Sequence, residues 1–535
     1  MNLFDYIVVG AGTAGCVVAT RLAAGGRRRV LLLEAGGTDR RLWVQLPIGY
    51  GRTFNDPRVN WMYHSEPDPA LAGRASFWPR GKVVGGSGSI NALVYYRGLP
   101  SDFDAWRDLG NVGWGSEDVL PIFEGFEAHS DVRSTPRKPV IHISDVSADV
   151  HPLCASFIDS CRSLGLAPQD FNGPQGEGIG IYQITTRGGR RDSTARAYLH
   201  PALLRRQLTL LQDAQVLRIL FEERRAVGVI YERDGRTRMG LASKGVILCA
   251  GAINSPQLLQ LSGIGDPALL TRYGIEVVAA NPAVGRNLQD HLAVSYFYRS
   301  KVPTLNNAYR SFSGKARAAL RYLASRRGPL AMSVNQAGGF IRSNPARSRP
   351  DLQLYFNPIS YTISSVERRV LEPDPFPAFL LSFNSCRPTS RGHVEIRSAS
   401  PFDPPAIYPN SLSTEEDVRD ALVGARLLRS IAAEPPLAQF IESEILPGAS
   451  KKTDDELLQD FRERASTVFH PVSTCRMGPD PRSAVVDSSL KVYGVEGLRV
   501  IDASAFPTIT SGNTNAPTIM VAERGAALIE AEEGD

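Results

Sequence analysis

The chain has 535 residues, 43% hydrophobic and 21% charged, and 60 Lys and Arg against 55 Asp and Glu leave a net charge of +5. That composition excludes global disorder. So small a charge, with no dominant basic stripe, also excludes a nucleic-acid binder.

In chain order, Met1–Asp5 has neither the basic start nor the apolar run of a secretory signal, so a cytoplasmic location is expected. The apolar run Tyr6–Val9 reads as a strand, the stretch to Leu22 as a helix and Val30–Leu33 as a second strand, a βαβ unit. Between strand and helix lies Gly10-Ala11-Gly12-Thr13-Ala14-Gly15, and Glu34 ends the second strand. Glycines there let the backbone turn tightly and approach a pyrophosphate at the helix N-terminus, while a carboxylate at Glu34 would accept from ribose hydroxyls. Next comes Gly81–Asn91, with four glycines in eight residues from Gly81 to Gly88, which permits close backbone approach to a flat group. Gly245–Gly251 reads as a buried strand and Ser255–Leu261 as a helix with Pro256 in its first turn. Residues 294–460 mix prolines, strand-like alternation and aromatics such as Tyr296, Phe297, Tyr298, Tyr355, Phe356 and Phe383. They read as a sheet-containing domain inserted in the nucleotide-binding fold, whose parts are 1–293 and 461–535. The aromatics fit an apolar substrate or core packing equally. Within the insert, Lys315–Arg327 interleaves five cations with Leu320, Tyr322 and Leu323. It reads as an ordinary solvated helix or as a weak peripheral contact with an anionic, inner-membrane surface. Near the end come Phe469-His470-Pro471, a short strand at 498–501, Asp502, Gly512-Asn513-Thr514-Asn515 and a closing helix over 517–527. Six cysteines without C-x-x-C and eight histidines without ligand spacing point to no metal and no disulfide framework.

Together these segments resemble the glucose–methanol–choline (GMC) flavoprotein oxidoreductases, at Gly81–Asp104, Gly251–Gly265, the terminal His-Pro and the Gly-Asn-Thr-Asn turn. Arg387–Gly392 is typical of the bacterial choline- and alcohol-dehydrogenase-like branch. The resemblance implies a Rossmann-like α/β FAD-binding domain with an inserted α+β substrate domain, and FAD as cofactor. Carried over, Gly10, Gly12, Gly15 and Glu34 would hold the ADP half and Val216 would meet the adenine. Val84, Gly85, Gly86, Ser87 and Asn91 would line the ribityl and ring portion. Asp502 and Asn515 would hold the pyrophosphate side and the flavin edge. His470 and Asn513 match the active-site pair, with His470 as general base for hydride transfer from an alcohol to flavin N5. An ordinary histidine pKa near 6.5 suits that role at neutral pH. Relatives that bind FAD covalently carry a histidine where Ile90 stands, so non-covalent binding is expected. Choline-oxidising relatives carry a glutamate where Gln336 is expected to align, which favours an uncharged primary alcohol. A choline-type dehydrogenase and a flavin-containing lyase or photodecarboxylase are the alternatives. The electron acceptor is oxygen or a quinone, with dehydrogenase preferred to oxidase, and the oligomeric state stays open. Ser473 stands where many relatives have glycine.

Overall fold

The computed structural model describes residues 3–129, 140–168, 172–173, 176–204, 207–363 and 371–534. Two seven-stranded sheets organise them. The first opens as expected, with β1 (Leu3–Val9), α1 (Thr13–Leu22) and β2 (Val30–Leu33). Parallel strands Leu208–Leu211, β2, β1, Arg236–Leu248 and Leu498–Val500 follow one another across it. Its buried strands are near-continuous runs of Val, Ile and Leu, as burial on both faces requires. Register pairs Val9 with Leu33 and Leu248, Leu211 with Leu33, and Leu248 with Val500. The carboxyl ends of five strands therefore come level. That edge is where an open parallel sheet presents its ligand site.

Chain closure is built into this sheet. The last helix, Asn515–Gly534, packs on α1, and Glu523 accepts two 2.7 Å hydrogen bonds from Arg21. It outruns the expected 517–527 because its buried face continues to Ile529.

The second sheet is antiparallel, in the order Ile441–Leu446, Leu292–Ser300, Ala378–Ser385, Leu352–Asn357, Ala337–Ile341, Gly178–Ile181. Its edge strand Gly178–Ile181 comes from before residue 294, and Ser466–Thr467, which pairs with Leu292–Ser300, from beyond 460. Side chains alternate across the sheet. Val294, Tyr296, Tyr298, Phe356 and Phe383 enter a core with helices Leu153–Ser163 and Glu415–Ala433. Ala293, Ser295, Phe297, Tyr355, Leu380 and Ser382 face a cavity between this sheet and the strand ends of the first. Of the aromatics singled out in sequence, four are thus core and two line the cavity. Among the described residues no helix is long and apolar enough to cross a membrane.

Candidate active site

The cavity has a volume of about 1550 Å³. Gly10, Gly12, Glu34, Gly86, Ser87, Asn91, Val216, Asp502, Asn515, His470 and Asn513 all line it, although they span nearly the whole chain. Gly15, Val84 and Gly85 do not. Gly15 lies beneath the turn, where a Cβ would come 1.8 Å from the Gly10 carbonyl oxygen. Val84 and Gly85 donate their N–H groups to Gly37 and Ala11, fixing the second glycine loop against the first. A Cβ on Gly86 would stand 2.7 Å from the Gly12 Cα, so backbones this close need glycine.

At one end, Glu34 accepts from Ala11 N at 2.9 Å and Gly36 N at 2.8 Å, and burial pushes its pKa up to about 7. Helix α1 has Gly12 as N-cap and so no side-chain cap, leaving first-turn N–H groups for an anion. At Gly251 a Cβ would meet nothing within 4 Å. An uncapped helix start, bare glycine faces and the volume together fit the dinucleotide that the resemblance implies. Asp502 accepts from Gly251 N at 2.8 Å, Ser255 Oγ at 2.6 Å and Ser504 N at 2.8 Å, which binds the last strand to helix Gly251–Leu261. That helix begins four residues earlier than expected, so Pro256 is interior and cannot donate to Ala252 O. Thr474 Oγ1 supplies the missing donor at 2.6 Å. Asn515 Oδ1 accepts from Thr13 Oγ1 at 2.9 Å. The second glycine loop is held by a group the sequence reading missed. Buried Arg191 donates to Asn91 Oδ1 (2.6 Å), Asn91 O (2.7 Å), Gly88 O (3.2 Å) and Val44 O (3.0 Å), and burial lowers its pKa to about 9.

At the other end His470 and Asn513 meet, Nε2 to Nδ2, at 3.1 Å. Behind His470 lies His291, also missed in sequence. Its Nδ1 is 3.0 Å from His470 Nδ1 and its Nε2 is 2.9 Å from the Cys386 carbonyl. A carbonyl only accepts, so His291 carries its proton on Nε2 and presents a lone pair at Nδ1. His470 then carries its proton on Nδ1 and turns a lone pair at Nε2 toward Asn513 and the cavity. Burial lowers the His291 pKa to about 4, and burial with the neighbouring His291 and Arg80 holds His470 well below 6.5. This departs from the expected unperturbed imidazole: the base is neutral further into acid. Asn513 Oδ1 is buried and has no partner among the described residues.

The backbone carrying His470 is strained. Phe469 has φ +70°, and three groups hold it there. Arg80 Nη2 donates to Phe469 O at 2.6 Å, Phe469 N donates to Thr467 Oγ1 at 2.8 Å, and His470 N donates to Asp290 Oδ1 at 2.7 Å. Burial raises the Asp290 pKa to about 6, against hydrogen bonds from Thr467 and His470 N and the charge of Arg80.

Gln336 requires a correction. It does not line the cavity; its Oε1 accepts from His151 N at 2.8 Å and Cys154 Sγ at 3.5 Å. The glycines at 338 and 339 pair tightly on both sides, and the register turns Gln336 behind the sheet. It therefore says nothing about substrate charge. Among the described residues the carboxylates lining the cavity are Glu34, Asp502 and exposed Glu372. Ile90, by contrast, lines it with an alkyl side chain.

A family model described as GMC oxidoreductase matches residues 4–293 and a second so described matches 388–522. Alcohol dehydrogenase (acceptor) of Pseudomonas putida is 40% identical over 536 residues, 98% of this chain and 96% of that protein. Mitochondrial choline dehydrogenase of Mus musculus is 42% identical over 540 residues, 98% and 89%. Among solved structures, pyridoxine 4-oxidase from Mesorbium loti superposes with a TM-score of 0.89 at 30% identity, covering 99% of each chain. An FAD-dependent oxidoreductase from Chaetomium thermophilum gives 0.89 at 26% identity, covering 99% and 100%.

Proposed function

The chain belongs to the GMC oxidoreductase family, and from that premise we propose that it oxidises an uncharged primary alcohol to the aldehyde with non-covalently held FAD. The observation that carries this reading is the lone pair of His470 Nε2, set by the Cys386–His291–His470 chain and facing Asn513 in the cavity. An alcohol oxygen lying against both from the cavity side would donate its proton to Nε2, in place of the direct Asn513 contact, and accept from Asn513 Nδ2. Removing that proton raises electron density on the oxygen and loosens the carbinol C–H bond. FAD supplies the acceptor that takes the carbinol hydrogen with its electron pair. Gly10, Gly12 and the α1 N-terminus would carry its diphosphate, Glu34 its ribose, Val216 its adenine and Gly86–Asn91 its ring portion. At Ile90 no nucleophile is present for a covalent link, so acid precipitation is expected to release all the flavin.

Lack of charge in the substrate is supported by the face that the second sheet turns to the cavity, Ala293, Ser295, Phe297, Tyr355, Leu380 and Ser382, which carries no carboxylate. A choline-type reading is favoured by two observations: the aromatic residues Phe297, Tyr355 and Phe469 line the cavity, and rings bind a quaternary ammonium, while the mouse relative is a choline dehydrogenase. Anaerobic addition of alkanols, benzylic alcohols and choline separates the two. Bleaching of the bound flavin by the neutral alcohols at lower concentration supports the proposal, and a preference for choline overturns it. No bleaching by any alcohol would favour a lyase. Re-oxidation of the bleached sample by oxygen or by a quinone analogue then identifies the acceptor.

A further inference from the structure

Helix Phe312–Ser325 stands at the rim of the cavity, which Lys315 and Ala319 line. Tyr322 and Ala318 anchor it to the protein, Tyr322 packing with Leu46 and Ala331. At 100° per residue, Phe312, Leu323, Ala316 and Leu320 fall within about 80° of one another, on a face away from that anchor. Three of these side chains are large and open to solvent: Phe312 is 88% exposed and Leu320 and Leu323 are 68% exposed each. Trp43, 43% exposed, lines the same cavity. Single exposed apolar residues are ordinary; three on one turn-spaced stripe are not.

Cations border the stripe on both sides. Arg310 precedes the helix, Lys315 borders one side of the stripe and Arg317 the other, and none of the three has an ion pair among the described residues. Arg321 and Arg327 share Asp149, at 2.7 and 2.8 Å, and Glu372 is the further carboxylate lining the cavity. An apolar stripe bordered by unpaired cations is complementary to one kind of surface, an anionic lipid interface, where apolar groups enter the acyl boundary and cations meet headgroup phosphates.

We propose that the Phe312–Ser325 face docks this protein peripherally on an anionic membrane, with the cavity mouth turned to the lipid. A hydrophobic molecule dissolved in the bilayer would then reach the cavity without crossing water. The proposal stands apart from the identity of the substrate, since its readout is lipid binding.

The test is co-sedimentation of the FAD-loaded full chain with sucrose-loaded vesicles of phosphatidylcholine alone or with 30 mol% phosphatidylglycerol (about that fraction, chosen to give a dense negative surface). Binding is expected to the mixed vesicles and not to the neutral ones. Phe312→Ser with Leu320→Ser and Leu323→Ser should cut the partition coefficient at least ~10-fold, and Arg317→Gln roughly 5-fold. None of these four residues lines the cavity, so flavin reduction by a soluble alcohol should stay at the parent rate. Absence of binding to anionic vesicles, or binding that the triple variant leaves unchanged, overturns the proposal. So does light scattering that shows a dimer which the triple variant splits, because a second copy would then cover the stripe.

Discussion

Replacing His291 with leucine removes the acceptor behind His470 while keeping a buried side chain of similar volume. In the parent, His470 Nδ1–H has a 3.0 Å partner in His291 Nδ1. In His291→Leu that N–H faces carbon, and leaving a buried donor unsatisfied costs about 1–3 kcal/mol. The ring escapes the cost by moving its proton to Nε2, where the Asn513 amide can turn its unpartnered Oδ1 to accept it. In that tautomer the lone pair no longer faces the substrate. A bias of about 1–3 kcal/mol leaves the competent tautomer about 5- to 150-fold rarer, and flavin reduction should slow by the same factor. Anaerobic stopped flow on the flavin band reads this directly, with the bound-flavin spectrum as control for folding. His291→Asn, whose Oδ1 can occupy the place of Nδ1, should recover most of the loss. A flavin-loaded His291→Leu that reduces at the parent rate would refute the tautomer chain.

Other outcomes follow from the same geometry. Because burial and neighbouring His291 and Arg80 hold the His470 pKa well below 6.5, the neutral, active form persists as pH falls through 6.5. The rate of flavin reduction should therefore be level there and drop only in stronger acid; a limiting ionisation at or above 6.5 in a pH–rate profile would contradict it. Ser473 holds φ +72° with a buried hydroxyl that has no partner among the described residues. The left-handed backbone costs about 1–2 kcal/mol and the lost hydration of the hydroxyl about 1–3, against about 0.5–1 for glycine's added freedom. Ser473→Gly should thus stabilise the protein by about 1–4 kcal/mol, seen as a higher denaturant midpoint at unchanged slope; a lower midpoint would count against the strain. Glu34→Ala strands the N–H groups of Ala11 and Gly36 and removes the ribose acceptor, so FAD should bind roughly 10- to 100-fold more weakly in a fluorescence titration. Retention of parent affinity would mean that the ribose lies elsewhere.

Much of this was legible in the sequence because its physics is local. A glycine turn between an apolar strand and a helix, with Glu34 at the next strand end, needs no distant partner to be read. The two terminal motifs were placed against it by the family resemblance, and the parallel register that brings five strand ends level is the physical reason they meet it. His291 was not legible: 179 residues separate it from His470, and nothing in Gln289-Asp290-His291 marks a ring buried behind another. Arg191 gave no signal either, since a buried guanidinium that binds four oxygens looks in sequence like any surface arginine. Gln336 was misplaced for a different reason. Its facing depends on a one-residue register choice in a glycine-containing strand, and such a choice moves every side chain to the other face. Ser473 was visible only as a departure, and its φ supplies the reason for glycine at that position.

The most direct measurement is single-turnover reduction of the His470→Ala variant, purified with its flavin, by the alcohol that reduces the parent best. Loss of the base should slow reduction by about 10²- to 10⁴-fold while the flavin content stays equal to the parent's. A flavin-loaded variant that reduces within roughly a few-fold of the parent rate, less than a general base contributes, would contradict the assignment of His470 as the group that takes the substrate's proton.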